Sequence, residues 1–415
     1  LFPVDETPTD VLLRIASVSH QIASARIETA LADMDPAVRD IVDIDPGVKY
    51  EANVHLKRAG DYYVRHARAL RATPEGDEAW AQSLWWGADS YDLAGWYDLA
   101  ITHFKEYLAG TQGEARRPEA TFRIAQGYHA LQDYPSALEY YQRVLGEHPN
   151  STFAGRSYVP LARCQAATGD YAAAEASLQH VLGGSAHSIE PDAVDYREAQ
   201  IDSGKLFYAQ GKFVPAIEAL DKALRRYPDD PRVNALRYTL ADAYRQQSLK
   251  VGADMETAVL PGSELERLDE MRRSYLASAA DLFDQVRAAY EARNAHHLQR
   301  FEQDMLRAAY LYRGDCAFLL GRLREAIEIY GETARKYSQH HSSMLALIQI
   351  VECYHRLGQT EQARIAHLRA LRRLEELPDE AFSEPDSLLD RATWERWLQN
   401  TPLGSVARVP EGTTP

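Results

Sequence analysis

The chain has 415 residues, 45% of them hydrophobic, and carries 61 acidic against 46 basic side chains for a net charge of −15. That balance disfavours a nucleic-acid partner, which needs a concentrated basic surface. No apolar run is long enough to span a bilayer; MLALIQIV at 344–351 is short and reads as a buried helix. The chain starts at Leu1 with neither Met nor a signal-like segment, which reads as either a processed protein or a fragment.

In chain order, Thr9–Met34 has apolar residues at helical spacing with Thr9 or Asp10 as cap, followed at 35–47 by a linker with two Asp-Pro breaks. Residues 1–46 are therefore read as an N-terminal helix and linker. Val48–Arg71 resumes a helical pattern, so 47–78 is a capping helix or a degenerate repeat. From residue 79 onward one pattern recurs, clearest in REAQIDSGKLFYAQGKFVPAIEALDKALRRYPDD at 197–230. Ser203, Gly204 and Phe207 share one face of a first helix and Gly211 breaks it. Pro215 opens a second helix with Ala216, Leu220 and Ala223 on its buried face, and Pro228 ends it.

The turn held by Gly211 is matched by Gly95, Gln132, Gly169, Gly321 and Gly358, with Tyr97, Tyr134, Tyr171, Leu323 and Thr360 two residues later. A small residue follows at Ala100, Ala137, Ala174, Ala326 and Ala363, then a plug at Phe104, Tyr141, Leu178, Tyr330 and His367. This resembles the tetratricopeptide repeat, about 34 residues per unit. The resemblance implies an all-α, right-handed α-solenoid of about seven helical hairpins with N- and C-terminal capping helices. On this register 79–248 holds units one to four and the first helix of unit five, 249–306 is an insertion with an extended helix, and 307–377 holds units six and seven. Residues 378–415 form a capping helix, from Leu388 to Leu398, and a flexible tail.

In this family the fifth and ninth positions of a unit face a concave groove. The fifth positions here are Trp85, Phe122, Val159, Ile201, Tyr238, Leu311 and Ile348, an apolar ribbon; the ninth are Asp89, Gln126, Arg163, Lys205, Asp242, Asp315 and Glu352, a basic centre with acidic ends. The resemblance implies a protein partner whose apolar side chains and charges meet these residues. The alternative is that the superhelix or a terminal helix occludes the ribbon. The carboxylate clamp of co-chaperone members, with Lys and Asn or Arg at these positions, is absent because every fifth position is apolar. Trp86 and Trp96 are read as core.

Cys164, Cys316 and Cys353 occupy one register slot, five residues before a turn, which elsewhere holds Ser90, Gly127 and Leu206. They read as small buried residues rather than as redox or metal groups. Within 249–306, KVGADMETAVLPGS reads as a loop and SELERLDEMRRSYL, with a capping-box-like Ser263 and Glu266, as a helix extension that is either a docking element or a solvated, charge-laced helix. The histidine pairs 296–297 and 340–341 fall in turns, and Glu352/His355 is a lone E-x-x-H where a carboxylate-bridged metal centre needs two. No catalytic motif stands out, so no metal, cofactor or enzymatic activity is expected.

The runs YPSALEYYQRVLGEHPNSTFAGRSYVPLARCQAATGDYAAAEASLQHVL and ALRRYPDDPRVNALRYTLADAYR are similar to units of two bacterial envelope proteins, the lipoprotein of the outer-membrane β-barrel assembly machine and the periplasmic Tol-Pal coordinator. That flavour covers 118–245 and implies a non-enzymatic scaffold holding protein subunits of a larger, membrane-associated assembly, in the periplasm or outer envelope. Leu1 is not the lipidated cysteine of a mature lipoprotein. The alternative is a cytoplasmic adaptor or a regulatory region of a longer protein, and the last in order is a metal-dependent enzyme on a helical-repeat scaffold, built on Glu352 and His355.

Overall fold

The computed structural model describes residues 7–32, 44–71, 77–111, 115–184, 193–257, 259–293, 298–382 and 389–400. Most of the Asp-Pro linker, His296–His297 and the tail 401–415 lie outside them. Among the described residues there are seventeen α-helices, one 3₁₀ turn at Asp379–Phe382 and no strand. The chain divides into two compact units, Leu1–Leu206 and Phe207–Pro415.

The first unit runs α1 (Thr9–Ala32), α2 (Pro46–Leu70), α3 (Asp77–Leu93), α4 (Tyr97–Gly110), α5 (Arg117–Ala130), α6 (Tyr134–Glu147), α7 (Thr152–Ala167) and α8 (Tyr171–Leu182), and takes most of α9 (Val194–Ala209). From α1 to α8 each helix packs on the next, and α5 also touches α7, the first helix of the following hairpin. Asp45 caps α2 by accepting from the backbone N–H groups of Gly47 and Val48, with Pro46 at the first helical position. α2 packs on both α1 and α3, so α1 is the outermost helix of this stack.

The second unit runs α10 (Phe213–Arg226), α11 (Val233–Thr257), α12 (Gly262–Glu291), α13 (Arg300–Leu319), α14 (Leu323–Lys336), α15 (Ser342–Arg356), α16 (Thr360–Glu376) and α17 (Arg391–Asn400). Lys250–Thr257 is not a loop but the continuation of α11: Val251 is buried, the stretch contains no proline, and Gly252 costs a helix only about 1 kcal/mol. Ser263 and Glu266 form no capping box, since α12 starts at Gly262 behind Pro261 without a side-chain cap; a carboxylate instead closes the start of α13, where Glu302 accepts from the Gln299 N–H at 2.9 Å. The outer surface of α12 is laced with ion pairs one turn apart, Glu264–Arg267 and Asp269 with Arg272 and Arg273. At the end of this unit Trp394 and Leu398 of α17 cover Met344, Ile348 and Leu374.

The turn pattern has one cause. At Gly95, Gln132, Gly169, Gly211, Gly321 and Gly358 the backbone is left-handed, with φ from 61° to 85°. At Gln132 the N–H donates to the His129 carbonyl and the next N–H, of Asp133, to the Tyr128 carbonyl, which satisfies two carbonyls left over at the end of α5. The same pair of bonds recurs at the five glycines. The alanines three residues after the Tyr/Phe position are at most 2% exposed, and Phe104, Tyr141, Leu178 and Tyr330 fill the space beside them.

Candidate functional site

The fifth-position ribbon is placed in the core, not in an open groove. Trp85, Phe122, Val159, Ile201 and Ile348 are buried, while Tyr238 and Leu311 are half-buried among core neighbours. Trp85 meets Phe104 and Tyr107 edge-on at 5.3 and 5.2 Å, and Phe122 meets Tyr141 and Phe153 at 5.9 and 5.5 Å. The reason is packing: this position sits over the seam between a first helix and its partner, and a large ring there fills the seam. Trp86 and Trp96, expected in the core, are 37% and 49% exposed. One residue's turn of about 100° takes Trp86 off the seam, where its ring partner is Tyr63 at 5.4 Å.

The ninth positions divide by unit. In the second unit Asp242 is buried, accepting from Arg245 Nε at 2.7 Å and from the Tyr208 hydroxyl, and Asp315 accepts from the Tyr330 hydroxyl at 2.5 Å. Arg245 also lies 4.1 Å from the centre of the Tyr312 ring. Burial pushes the Asp315 carboxyl above the usual carboxylate range, with Arg245 pulling it back, and raises the Tyr238 and Tyr312 hydroxyls. Two expected groove charges are therefore consumed inside an Arg–Asp–Tyr network. Glu352 is paired with Arg356 at 3.0 Å. No group of three or more His, Cys, Asp or Glu among the described residues could hold a metal ion.

In the first unit the ninth positions stay in reach of solvent. Gln126, Arg163 and Lys205 are exposed and Asp89 is half-buried. Ion pairs link neighbouring first helices on this face. Arg123 of α5 reaches Asp89 and Asp92 of α3 at 3.6 and 2.7 Å, and Arg163 of α7 reaches Glu198 and Asp202 of α9 at 2.7 and 2.5 Å. The expected basic centre is thus half neutralised from within. Burial raises the Asp92 carboxyl against the pull of Arg123, and lowers the His129 imidazole with help from Arg163.

Sequence reasoning missed two guanidinium groups beside this ladder. Arg116 lies 4.9 Å from the centre of the Trp85 ring, and Arg156 lies 5.3 Å from those of both Phe122 and Phe153. Both arginines are exposed. Arg156 precedes Arg163 by seven residues, a spacing that returns to the same helix face and was available from the sequence. The buried rings become the floor and the arginines the reachable layer.

A first helix per hairpin, joined to the next by salt bridges and backed by a second helix, defines a helical-repeat scaffold that presents a long polar face. The tetratricopeptide-repeat family model matches residues 119–151, 153–229 and 308–340, and the chain is a tetratricopeptide-repeat protein. No curated protein matches it in sequence. Similar solved structures include the Pyrococcus horikoshii signal transduction ATPase with a tetratricopeptide-repeat sensor (14% identity, 86% of this chain and 53% of that one, TM-score 0.45). BtubC from P. vanneervenii is similar at 14% identity over 60% of this chain and 96% of that one, TM-score 0.40. A Parabacteroides merdae tetratricopeptide-repeat protein is similar at 17% identity over 63% and 98%, TM-score 0.37. No helix among the described residues is long and apolar enough to cross a membrane.

Proposed function

We propose that the chain is a non-enzymatic scaffold that holds a segment of a protein partner along the first-helix face of its first unit. One observation carries the reading: Arg116 and Arg156 are exposed over the aromatic floor of Trp85, Phe122 and Phe153, with Gln126, Arg163 and Lys205 alongside. Stacking restricts the two guanidinium groups before any partner arrives, so less rotamer entropy remains to be lost on binding. Carboxylates on an extended or helical partner segment are their natural complement. The envelope-like runs within 118–245 support a place in a bacterial cell-envelope complex, periplasmic or at the outer envelope.

Crosslinking and mass spectrometry of the native protein, repeated with Arg156→Glu/Lys205→Glu, test the surface. A partner that crosslinks along α5, α7 and α9 and is lost from the folded double variant is the expected result. Crosslinks that survive the charge reversal would move the contact elsewhere. Fractionation of the source cells tests the location: recovery with the cytoplasm would overturn the envelope placement.

A further inference from the structure

α1 carries two apolar stripes of the same 4-3-4 spacing. Leu12, Ala16, Ser19 and Ala23 are buried, Ala16 packing with Ala59 and Tyr63 of α2 and Ala23 with Ala52 and Leu56 of α2 and Ala94 just after α3. Val11, Ile15, Val18 and Ile22 form the other, about 100° around the helix, and nothing among the described residues closes over it. Val18 and Ile22 are 47% and 38% exposed. With Arg58 of α2, this stripe walls an open groove of about 260 Å³. Its spacing is that of a helix-pairing seam.

The groove lies at the outer end of a repeat stack, where an apolar face needs a cover. The opposite terminal stack of the chain has one, in Trp394 and Leu398 of α17. Here the rim is cationic. Arg14 and Arg58 are exposed on its two walls, and neither has a carboxylate within 4.0 Å among the described residues, although arginine–carboxylate pairs recur along most helices of this acidic protein. Arg58 lies 5.8 Å from the centre of the Tyr62 ring instead.

We infer that this groove docks an amphipathic helix of a protein partner, with apolar residues at 4-3-4 spacing and acidic residues on both flanks. The charges choose between occupants. A second copy of the chain docked through the same face would bring four guanidinium groups together, which like-charge repulsion opposes. An anionic bilayer would meet a concave wall and a chain of net charge −15, so a convex helix fits better than a flat surface. The groove is a separate surface from the ladder on α5, α7 and α9, and this inference does not rest on the ladder's role.

The test is fluorescence anisotropy of the full chain with two labelled synthetic peptides, each a helix with leucines at 4-3-4 spacing, one flanked by glutamates and its twin by lysines. The glutamate peptide should bind despite the protein's net negative charge, and the lysine peptide should bind at least about tenfold more weakly, the size of effect that close interfacial charge pairs produce. Arg14→Glu/Arg58→Glu should reverse that order, and Val18→Asp/Ile22→Asp should remove binding of both peptides while the helical circular dichroism is kept. Equal binding of the two peptides would overturn the inference. So would sedimentation of the chain as a dimer that Val18→Asp/Ile22→Asp dissociates, or capture by phosphatidylserine vesicles in preference to the glutamate peptide.

Discussion

A Cβ built on Gly314 of α13 falls 2.4 Å from the ring of Tyr330 on α14, a ring that is itself fully buried and anchored through its hydroxyl to Asp315. The two helices of this hairpin approach as closely as they do because residue 314 has no side chain. Gly314→Ala must displace a ring that has nowhere to go, so it should destabilise the second unit by about 1–3 kcal/mol, measured as a lowered urea midpoint. Tyr330→Phe keeps the ring but strands Asp315, and should also cost stability.

Gln132 holds a left-handed backbone, φ 61°, where the other five turns have glycine. An L side chain there is strained by about 1–2 kcal/mol. Gln132→Gly should therefore stabilise the first unit by about 1 kcal/mol, less whatever the freer glycine loses in the unfolded chain. The converse substitution, Gly169→Ala at φ 85°, should destabilise it. Thermal midpoints of the two variants moving in opposite directions would be the signature.

Trp85 and Lys205 separate a structural role from the proposed binding role. With its indole buried between Phe104 and Tyr107, Trp85→Ala should cost about 3–5 kcal/mol of stability. Lys205→Glu, on the exposed face of α9, should change the thermal midpoint by no more than about 0.5 kcal/mol equivalent and weaken partner capture. A Trp85→Ala protein as stable as the parent would contradict the placement of that ring.

Burial holds the imidazoles of His66, His103 and His129 below their ordinary range, opposed at His103 by Glu106 and reinforced at His129 by Arg163. Folding thus favours the neutral ring. The contribution is complete above the unfolded value of about 6.5 and is lost as pH falls from there through the lower folded values. Asp92 and Asp195, raised by burial, act in the opposite sense within the acidic range. The first unit should be less stable at pH 5.5 than at 7.5, and His66→Gln, which can keep a hydrogen bond to Ser83, should flatten that slope.

Cys164, Cys316 and Cys353 are fully buried, and burial pushes each thiol up to about 12. Thiolate is the reactive form. Iodoacetamide at pH 8 should leave all three unmodified in the native protein and label them in urea. Modification of any one under native conditions would mean that its hairpin opens.

Much of the fold was legible because its signals are local. A left-handed turn selects glycine within a single residue, and close helix packing selects alanine at a set distance from it, so six turns and their alanines could be placed by counting. The candidate site was legible only as a set of positions. The type and spacing of the fifth-position residues suit an open ribbon and a filled seam equally, and nothing local distinguishes the two. Lys250–Thr257 carries a loop signal in Gly252, while the burial of Val251 that compensates it is not a local signal.

By itself, then, the sequence determined the repeat, its register and the side of each helix that is apolar, since these follow from backbone conformation and from the 3.6-residue period. Only the tertiary structure decided which charges remain for a partner. Arg163 meets Glu198 and Asp202, 35 and 39 residues away, and Asp242 meets Arg245 and Tyr208, while Arg116 and Arg156 come to rest on rings and stay exposed. Those pairings depend on how successive hairpins stack, and that angle is the sum of many weak contacts spread over the whole of each helix interface.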